Sequence, residues 1–463
     1  MKKILPFFMA ILLVLCSGCT KLSGDYMSSE DYINYLYSSD VEFVYQSGTS
    51  EVDSVVSEIE SDLSQLEHAG EVSINSFTSS YVTDAESEDF DEIGKQNAVI
   101  DSDIGSGNAQ QIQEADVNTK GTKPLYYSNL TNNQKRIYRF MKFAAENMTE
   151  GLFSIGAVSS GEQNRFSDIT VAFRALSGDN PHIFWLPNTY IVSPDGSSVA
   201  FAYHENGYNI DYSVTKDKHQ AMQKALYEVI AQLTKEANKL DSRFKKELYF
   251  HDWLCQNVTY GSDGTDDSYT AYGALVNGTA VCEGYSRAMQ LLCDNVGIPC
   301  TVVYGYSNGI GHMWNIIDPG DGWYHLDVTW DDDHEYDVTR YTYFNVSDSI
   351  IKMDHVIFDA VSSDKSYISS DYFNIYLYTC NSTNYNYFEK NNLILNDDLT
   401  HSVELITKAA QSGQTVIELM YTNSNSDYVS VLNQLNLQLC DNGIFINRYS
   451  PLGSAIVLWL TFV

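Results

Sequence analysis

Apolar residues recur with helical spacing over several long stretches of the chain, beginning near residue 124. Between residues 132 and 148 they fall on one face, and Thr131 precedes them as a candidate N-cap. Residues 217–258 predict two further long helices. The same spacing returns from Glu283 to Asn295, and Gly297 follows where a helix commonly ends. The pattern therefore predicts a folded part rich in amphipathic helices.

Shorter apolar runs between these helices predict strands. The mixed region with Trp185, Tyr190 and the run 199–203 is read as strands, and so is the β-branched run 301–304. After about residue 365 the pattern starts again, with helices at 403–410 and 428–437, a strand at 415–421 and two closing apolar runs. We expect this last part to form a small α/β domain.

The segment from residue 25 to residue 120 has a different character. It holds 22 acidic and two basic side chains, a net charge of −20 out of −34 for the whole chain. Such a composition extends by self-repulsion and buries little surface, which predicts a flexible spacer. The excess of negative charge also repels phosphate backbones and excludes nucleic acid as a partner.

The first 19 residues have the form of an export signal. Two lysines precede the apolar run from Ile4 to Leu15, which is too short to span a bilayer. The stretch that ends in Ser17-Gly18-Cys19 resembles a bacterial lipobox, although Cys16 stands where that motif usually has Leu. The resemblance implies lipidation of Cys19 and a membrane anchor on the outer face of the cytoplasmic membrane. The alternative is an ordinary cleaved signal that leaves the protein secreted.

Three short stretches carry candidate chemistry. They are Val-Cys-Glu-Gly-Tyr-Ser at 281–286, Gly-His-Met-Trp-Asn at 311–315 and His-Leu-Asp-Val-Thr-Trp at 325–330. Cys282 stands at the start of a predicted helix, where unpaired N–H groups and the helix dipole favour a thiolate. The other two stretches flank a turn signal at 318–322. A four-residue loop at 318–321 would place His312 opposite Asp327, close enough for a carboxylate to orient an imidazole.

The order and content of these stretches resemble the core of the transglutaminase-like superfamily. The resemblance covers roughly residues 245–335, and weaker likeness to secreted bacterial members extends back to 172–185. It implies a papain-like catalytic triad with Cys282 as nucleophile, His312 as base and later acid, and Asp327 as the orienting carboxylate. It also implies an α+β fold in which the helix that bears the nucleophile packs on an antiparallel sheet. No cofactor is expected.

Taken together, the sequence predicts five segments. They are a signal and lipobox at 1–19, an acidic spacer at 20–123, an α/β domain at 124–240, the transglutaminase-like core at 241–365 and the small C-terminal domain at 366–463.

Several residues near the core keep two readings. Tyr272 and Gln256 are candidate oxyanion donors, with aromatic packing or a solvated face as the alternative. The acidic run 331–333, with Glu335 and Asp337, fits no calcium loop and reads as a solvated loop, so no metal is assigned. His325 reads as a packed neighbour of the site. Most of the cysteines other than Cys282 that follow the lipobox are interpreted as buried thiols. Export also permits disulfides among them, and the sequence does not choose the pairing.

The sequence thus favours an exported thiol enzyme that acts on the amide bonds of a surface protein or a cell-wall peptide. Water as the second nucleophile makes it a peptidase or amidase, and an amine makes it a cross-linking enzyme. We favour hydrolysis, because transfer to an amine requires a site that excludes water. The alternative from another class is a non-enzymatic adhesion or scaffold module that uses the same fold.

Overall fold

The structure of the protein is a computed structural model. It describes residues 97–100, 110–111, 113, 124–156, 162–187, 189–201, 212–262, 264–333, 338–357, 378–395, 399–421 and 428–462. The predicted signal, Cys19 and residues 20–96 of the predicted spacer lie outside these described residues. None of the helices in the described part combines the length and the apolar character that crossing a membrane requires.

The first folded segment combines three helices with a small sheet. Its elements are β1 (Asn97–Ile100), α1 (Leu125–Asn129), α2 (Asn132–Glu146), β2 (Phe153–Ser154), α3 (Glu162–Asp179), β3 (Thr189–Val192) and β4 (Ser198–Phe201). The strand order is β1-β3-β4-β2, with β1 parallel to β3 and the other pairs antiparallel. Helix α2 begins with a capping box, in which the side chains of Thr131 and Gln134 each accept the other residue's N–H. This start agrees with the prediction.

Helix α3 is the main element that the sequence pattern misses, because no element is predicted over residues 162–179. Its buried apolar residues follow one another almost without interruption: Ile169, Val171, Ala172, Phe173, Ala175 and Leu176. A continuous apolar run does not distinguish a buried helix from a buried strand. Tertiary packing on several sides, with no wide polar face, explains why the helical period is hidden.

The middle of the chain supplies the long helices. Its elements are α4 (Tyr212–Ala237), α5 (Arg243–Asn257), β5 (Thr259–Tyr260), a 3₁₀ turn (Asp266–Tyr269), a π turn (Gly273–Asn277), β6 (Thr279–Ala280) and α6 (Cys282–Val296). Helices α4 and α5 are the two predicted over 217–258. Helix α6 ends at Gly297, which adopts the left-handed conformation with φ of 75°.

An antiparallel sheet follows α6 and carries most of the candidate site. The elements here are β7 (Cys300–Ser307), β8 (Ile310–Ile317), β9 (Tyr324–Leu326), α7 (Val328–Asp331), β10 (Asp332–Asp333), β11 (Val338–Thr339), α8 (Asp348–Ile351) and β12 (His355–Ile357). The strand order is β12-β7-β8-β9. The predicted α+β fold, with the helix that bears Cys282 beside an antiparallel sheet, is therefore confirmed.

Two glycines allow the close approaches that this arrangement needs. A Cβ at Gly284 would lie 2.6 Å from the carbonyl oxygen of Ser268, so the first turn of α6 can pack against that segment only without a side chain. A Cβ at Gly305 on β7 would lie 2.2 Å from the carbonyl oxygen of Val356. Gly305 thus lets β12 lie directly against β7.

The last part of the chain forms a third four-stranded sheet with its own core. Its elements are α9 (Tyr387–Asn391), β13 (Ile394–Leu395), α10 (Leu399–Gln411), β14 (Val416–Tyr421), α11 (Tyr428–Cys440), β15 (Ile444–Leu452) and β16 (Ala455–Phe462). The strand order is β13-β14-β16-β15. A buried cluster from Leu395 to Leu460 fills this part, whereas a separate, larger cluster runs from Tyr126 to Phe344. The predicted domain boundaries stay predictions.

Candidate active site

Cys282 is the first residue of helix α6 and is almost completely buried, with 2% of its surface exposed. The first backbone bond of this helix runs from the N–H of Tyr285 to the carbonyl oxygen of Val281, at 3.1 Å. The N–H groups of residues 282–284 therefore stand before the intrahelical bonds, at the positive end of the helix dipole. This end of the helix favours negative charge on the sulfur of Cys282 or on a bound oxygen.

Hydrogen bonds on two sides hold helix α6 in place. Arg287 donates to the carbonyl oxygen of Ser177 on α3 at 2.8 Å and to Glu283 one turn earlier at 2.8 Å. On the opposite side, the amide of Asn315 on β8 donates to the carbonyl oxygen of Ser286 at 3.0 Å. Because these donors are buried or partly buried, they fix the start of the helix relative to strand β8.

His312 lies on β8 between the other two predicted site residues. Its Nε2 atom is 2.6 Å from Oδ2 of Asp327, and Cys282 lies close enough to the same imidazole to raise its pKa. The structure therefore brings Cys282, His312 and Asp327 together in the order that the sequence predicts.

Burial and mutual contact shift the pKa values of His312 and Asp327. Burial by itself lowers the pKa of His312, but the charge and hydrogen bond of Asp327, together with Cys282, raise it to about 10. Burial alone raises the pKa of Asp327, yet His312 and a second histidine, His355, hold that pKa well below its usual range. The carboxylate is thus ionised, and the imidazole beside it is a strong base.

The predicted route by which Asp327 reaches His312 is wrong. The ladder between β8 and β9 closes with Ile317 opposite Tyr324, so the loop comprises the six residues 318–323 and not four. Asp318 supports this longer loop by accepting the N–H groups of Gly320 and Gly322 at 2.8 and 3.2 Å. His312 and Asp327 are therefore not opposite each other in a ladder.

Asp327 instead stands just after β9 as the N-cap of the short helix α7. Its Oδ1 atom accepts the N–H groups of Thr329 and Trp330 at 3.0 and 3.2 Å. The cap leaves Oδ2 for the imidazole of His312. One side chain thus ends a strand, starts a helix and faces the candidate base.

His355 on β12 is the main site residue that sequence reasoning misses. Its Nε2 atom is 2.9 Å from Oδ2 of Asp327, the oxygen that also binds His312. Its Nδ1 atom is 2.6 Å from Oδ1 of Asp354. An Asp-His dipeptide 27 and 28 residues after Asp327 carries no motif, so no local signal points to it.

Aromatic rings surround the pair of imidazoles. The ring of His312 stacks on Trp314 at 5.9 Å between centroids and meets the edge of Trp330 at 6.3 Å. His312 itself is 6% exposed. These rings restrict water at the site and strengthen the interactions of its charges.

Tyr272 and Gln256, the two candidate oxyanion donors, occupy the positions that their alternative interpretations predict. Tyr272 stacks on Phe184 at 5.1 Å between centroids, and Gln256 is exposed. Asp331 is buried, where it receives the N–H of Tyr343 at 3.0 Å and lies 3.2 Å from His251, so the solvated-loop reading fails for it. Glu335 and Asp337 lie outside the described residues.

Within the described ranges, two groups bring together three side chains of metal-binding type, namely His312, Asp327 and His355, and His325, Asp348 and Cys380. In the second group Trp314 donates its indole N–H to Nδ1 of His325 at 3.1 Å, so the proton on Nε2 points at Asp348, 3.0 Å away. A histidine in this tautomer offers no lone pair to a cation. In the first group Nε2 of His312 and both ring nitrogens of His355 are likewise occupied by hydrogen bonds.

The same contacts explain why His325 is a packed neighbour, since it binds Trp314 and Asp348. The described cysteines are free thiols; Cys255, Cys282, Cys293, Cys300 and Cys380 are buried, and Cys440 is partly exposed. Burial raises the pKa of Cys255 to about 11 despite the opposing effect of His251. A buried thiol with a raised pKa is a poor nucleophile.

Comparisons with known proteins agree with this geometry. The family model of the transglutaminase-like superfamily matches residues 231–328, a range that includes all three predicted triad residues. Among curated proteins none matches the chain.

Two solved structures resemble parts of the chain. One is described as a TGase, with 18% identity, a TM-score of 0.22 and coverage of 28% of this chain and 40% of its own. The other is a candidate cysteine protease from Cytophaga hutchinsonii, with 24% identity, a TM-score of 0.21 and coverage of 22% of this chain and 37% of its own. The chain thus spans about two fifths of the length of each, and likeness at this level carries no argument about the reaction. Residues 231–328 of the chain thus match the transglutaminase-like superfamily.

Proposed function

We propose that the protein is an exported thiol enzyme that attacks amide or peptide carbonyls through Cys282, with His312 as base and acid and Asp327 as the orienting carboxylate. The observation that carries the proposal is the 2.6 Å contact between Nε2 of His312 and Oδ2 of Asp327, with Cys282 near the same imidazole. A carboxylate in this position fixes the tautomer of the histidine and stabilises its imidazolium form.

The proposed reaction has two halves. In the first, the sulfur of Cys282 bonds to the carbonyl carbon, the carbon–nitrogen bond breaks, and His312 gives its proton to the departing amine. In the second, His312 removes a proton from water, whose oxygen bonds to the thioester carbon; the carbon–sulfur bond breaks, the acid leaves, and the proton on His312 remains with the Cys282–His312 pair, which is thereby regenerated. The N–H groups at the start of α6 are the candidate donors for the oxyanion of each tetrahedral intermediate.

We favour hydrolysis over transfer to an amine, with a surface protein or a cell-wall peptide as substrate. The partition is testable, because an amine that competes with water gives a second product. A peptide library incubated with and without a primary amine should yield free acids in both cases. Amide products in quantity would reassign the enzyme as a cross-linker.

Export and anchoring through Cys19 belong to the same proposal. A lipid on this cysteine predicts that the protein sediments with membranes and that detergent releases it. Cys19→Ala should move it to the soluble fraction. A wild-type protein already found in that fraction would favour the secreted alternative.

The first experiment measures the rate at which iodoacetamide alkylates each cysteine as a function of pH, by mass spectrometry. If Cys282 and His312 form a working pair, Cys282 should react at least about tenfold faster than the other cysteines near neutral pH. His312→Ala should remove that advantage. His325→Ala is the matched control, because it removes a buried histidine from the neighbouring strand without touching Asp327.

The alternative function is a non-enzymatic adhesion or scaffold module. It predicts that Cys282 reacts no faster than the partly exposed Cys440, and that His312→Ala changes nothing. That outcome would overturn the enzyme proposal and direct work to binding partners.

A further inference from the structure

Two histidines bind one oxygen of Asp327. The Oδ2 atom lies 2.6 Å from Nε2 of His312 and 2.9 Å from Nε2 of His355, and the two imidazole centroids are 5.5 Å apart. All three side chains are buried. Since Oδ1 is occupied by the N-cap bonds of α7, the negative charge of the carboxylate faces both rings through one atom.

The contacts of His355 define its charge. Its second nitrogen, Nδ1, lies 2.6 Å from Oδ1 of Asp354, and Oδ2 of Asp354 accepts the hydroxyl of Tyr343 at 2.5 Å. Both nitrogens of His355 therefore face carboxylate oxygens, an arrangement that favours a proton on each nitrogen and a positive charge on the ring. Burial lowers the pKa of His355, but the bonds from Asp327 and Asp354 outweigh it and raise that pKa.

Among the described residues, five titratable groups face His355. They are Asp327, Asp354, His312, His325 and Tyr343. The rings of Trp314, Trp330 and Tyr343 pack around it at 5.1 to 6.1 Å between centroids. Little water can screen its charge, so its effect on the neighbouring imidazole is strong.

We propose that His355 is a positioning residue of the site, which holds Oδ2 of Asp327 together with His312 and divides the negative charge of that carboxylate between two imidazoles. This inference rests on the proposed function and deepens it. If Asp327 contacted His312 alone, its negative charge would hold the proton on that imidazole more tightly. With His355 present, His312 is oriented as firmly but releases its proton more readily to the leaving amine.

The test is the titration of His312, followed by NMR in protein labelled with ¹⁵N-histidine and assigned by loss of the signal in His312→Ala. The measurement uses Cys282→Ser as background, because Cys282 helps to keep the proton on His312 and its removal brings the titration to lower pH. Two variants act on the charge of His355. His355→Gln replaces the imidazolium with a neutral donor, and Asp354→Asn keeps His355 but removes its second anion.

His355→Gln should move the midpoint of His312 to higher pH, by about one pH unit, because a positive charge nearby is lost. Asp354→Asn should move it in the same direction by less, because the anion that it removes partly offsets the positive charge lost from His355. The matched control is His325→Gln, which replaces another buried histidine of the same sheet that contacts Trp314 and Asp348. It should leave the midpoint unchanged. If His355→Gln fails to fold by circular dichroism, Asp354→Asn carries the test.

An unchanged midpoint in the folded variants would overturn the role of His355. So would an equal shift in His325→Gln, because the effect would then be a general response to altered packing. The proposed function fails by a different readout, namely slow alkylation of Cys282 in the wild-type protein. The two failures are therefore distinguishable.

Discussion

The hydroxyl of Ser286 donates to the carbonyl oxygen of Met313 at 2.9 Å. Ser286 stands on α6, one turn after Cys282, and Met313 follows His312 on β8. This buried bond therefore joins the helix that carries the sulfur to the strand that carries the imidazole. The same hydroxyl lies 2.8 Å from the carbonyl oxygen of Cys282, so its position is fixed from both sides.

Ser286→Ala should weaken both the fold and the site. Loss of the hydroxyl leaves the carbonyl of Met313 without this donor, which should lower the free energy of unfolding by about 1–2 kcal/mol. The alkylation of Cys282 should slow several-fold because the helix is no longer tied to β8. Ser402→Ala is the control, since it removes a buried serine far along the chain that bonds to Ile394. Denaturant unfolding and alkylation rates measure the two effects, and an unchanged alkylation rate in Ser286→Ala would contradict this role.

Asp327→Asn separates the charge of Asp327 from its role as a helix cap. Asparagine is an equally good N-cap and can still accept the N–H groups of Thr329 and Trp330. His312 loses its anion, so its pKa should fall from about 10 towards the ordinary value of 6.5. We expect alkylation of Cys282 at pH 6–7 to fall at least about tenfold. The melting temperature should fall as well, because two buried imidazoles lose their shared anion, although the cap bonds of α7 remain. Asp348→Asn, which alters the partner of His325, is the control and should alkylate like the wild type.

Gly284→Ala tests the close approach at the start of α6. Alanine is the better helix former by about 1 kcal/mol, but its Cβ would lie 2.6 Å from the carbonyl oxygen of Ser268. The steric effect should win and lower the free energy of unfolding by about 2 kcal/mol. The exposed Asn295→Ala in the same helix should stay within about 0.5 kcal/mol of the wild type. A stabilised Gly284→Ala protein would show that the helix can shift freely.

Glu247→Gln predicts a change in how stability depends on pH. Burial raises the pKa of Glu247 from 4.5 to about 8. The contribution of Glu247 to the free energy of unfolding is therefore fully present below pH 4.5 and is lost as pH rises through 8, where the buried carboxyl group ionises. Glutamine cannot ionise. Relative to the wild type, the variant should therefore gain stability between pH 5 and pH 9, on the order of 3 kcal/mol.

Urea unfolding of both proteins at pH 5 and pH 9 measures this difference. Comparison with the wild type cancels the effects of other groups, such as His312, that titrate in the same range. Glu228→Gln changes an exposed glutamate on α4 and should show no such dependence. Parallel pH profiles for wild type and Glu247→Gln would contradict the prediction.

The helices and the identity of the three predicted site residues follow from local sequence. Amphipathic spacing, the cap at Thr131 and the stop at Gly297 each depend on residues within a few positions of one another, and the structure has all three. The same holds for Cys282 at a helix start. Local rules suffice there because a helix forms its bonds within its own segment.

Only the tertiary structure decided the register of β9, the helical state of α3 and the presence of His355. The loop at 318–323 depends on bonds from Asp318, and helix α3 depends on burial from several sides. His355 reaches Asp327 across 28 residues because β12 pairs with β7 beside Gly305. Which strands become neighbours is set by the packing of the whole domain, and no short window of sequence contains that information.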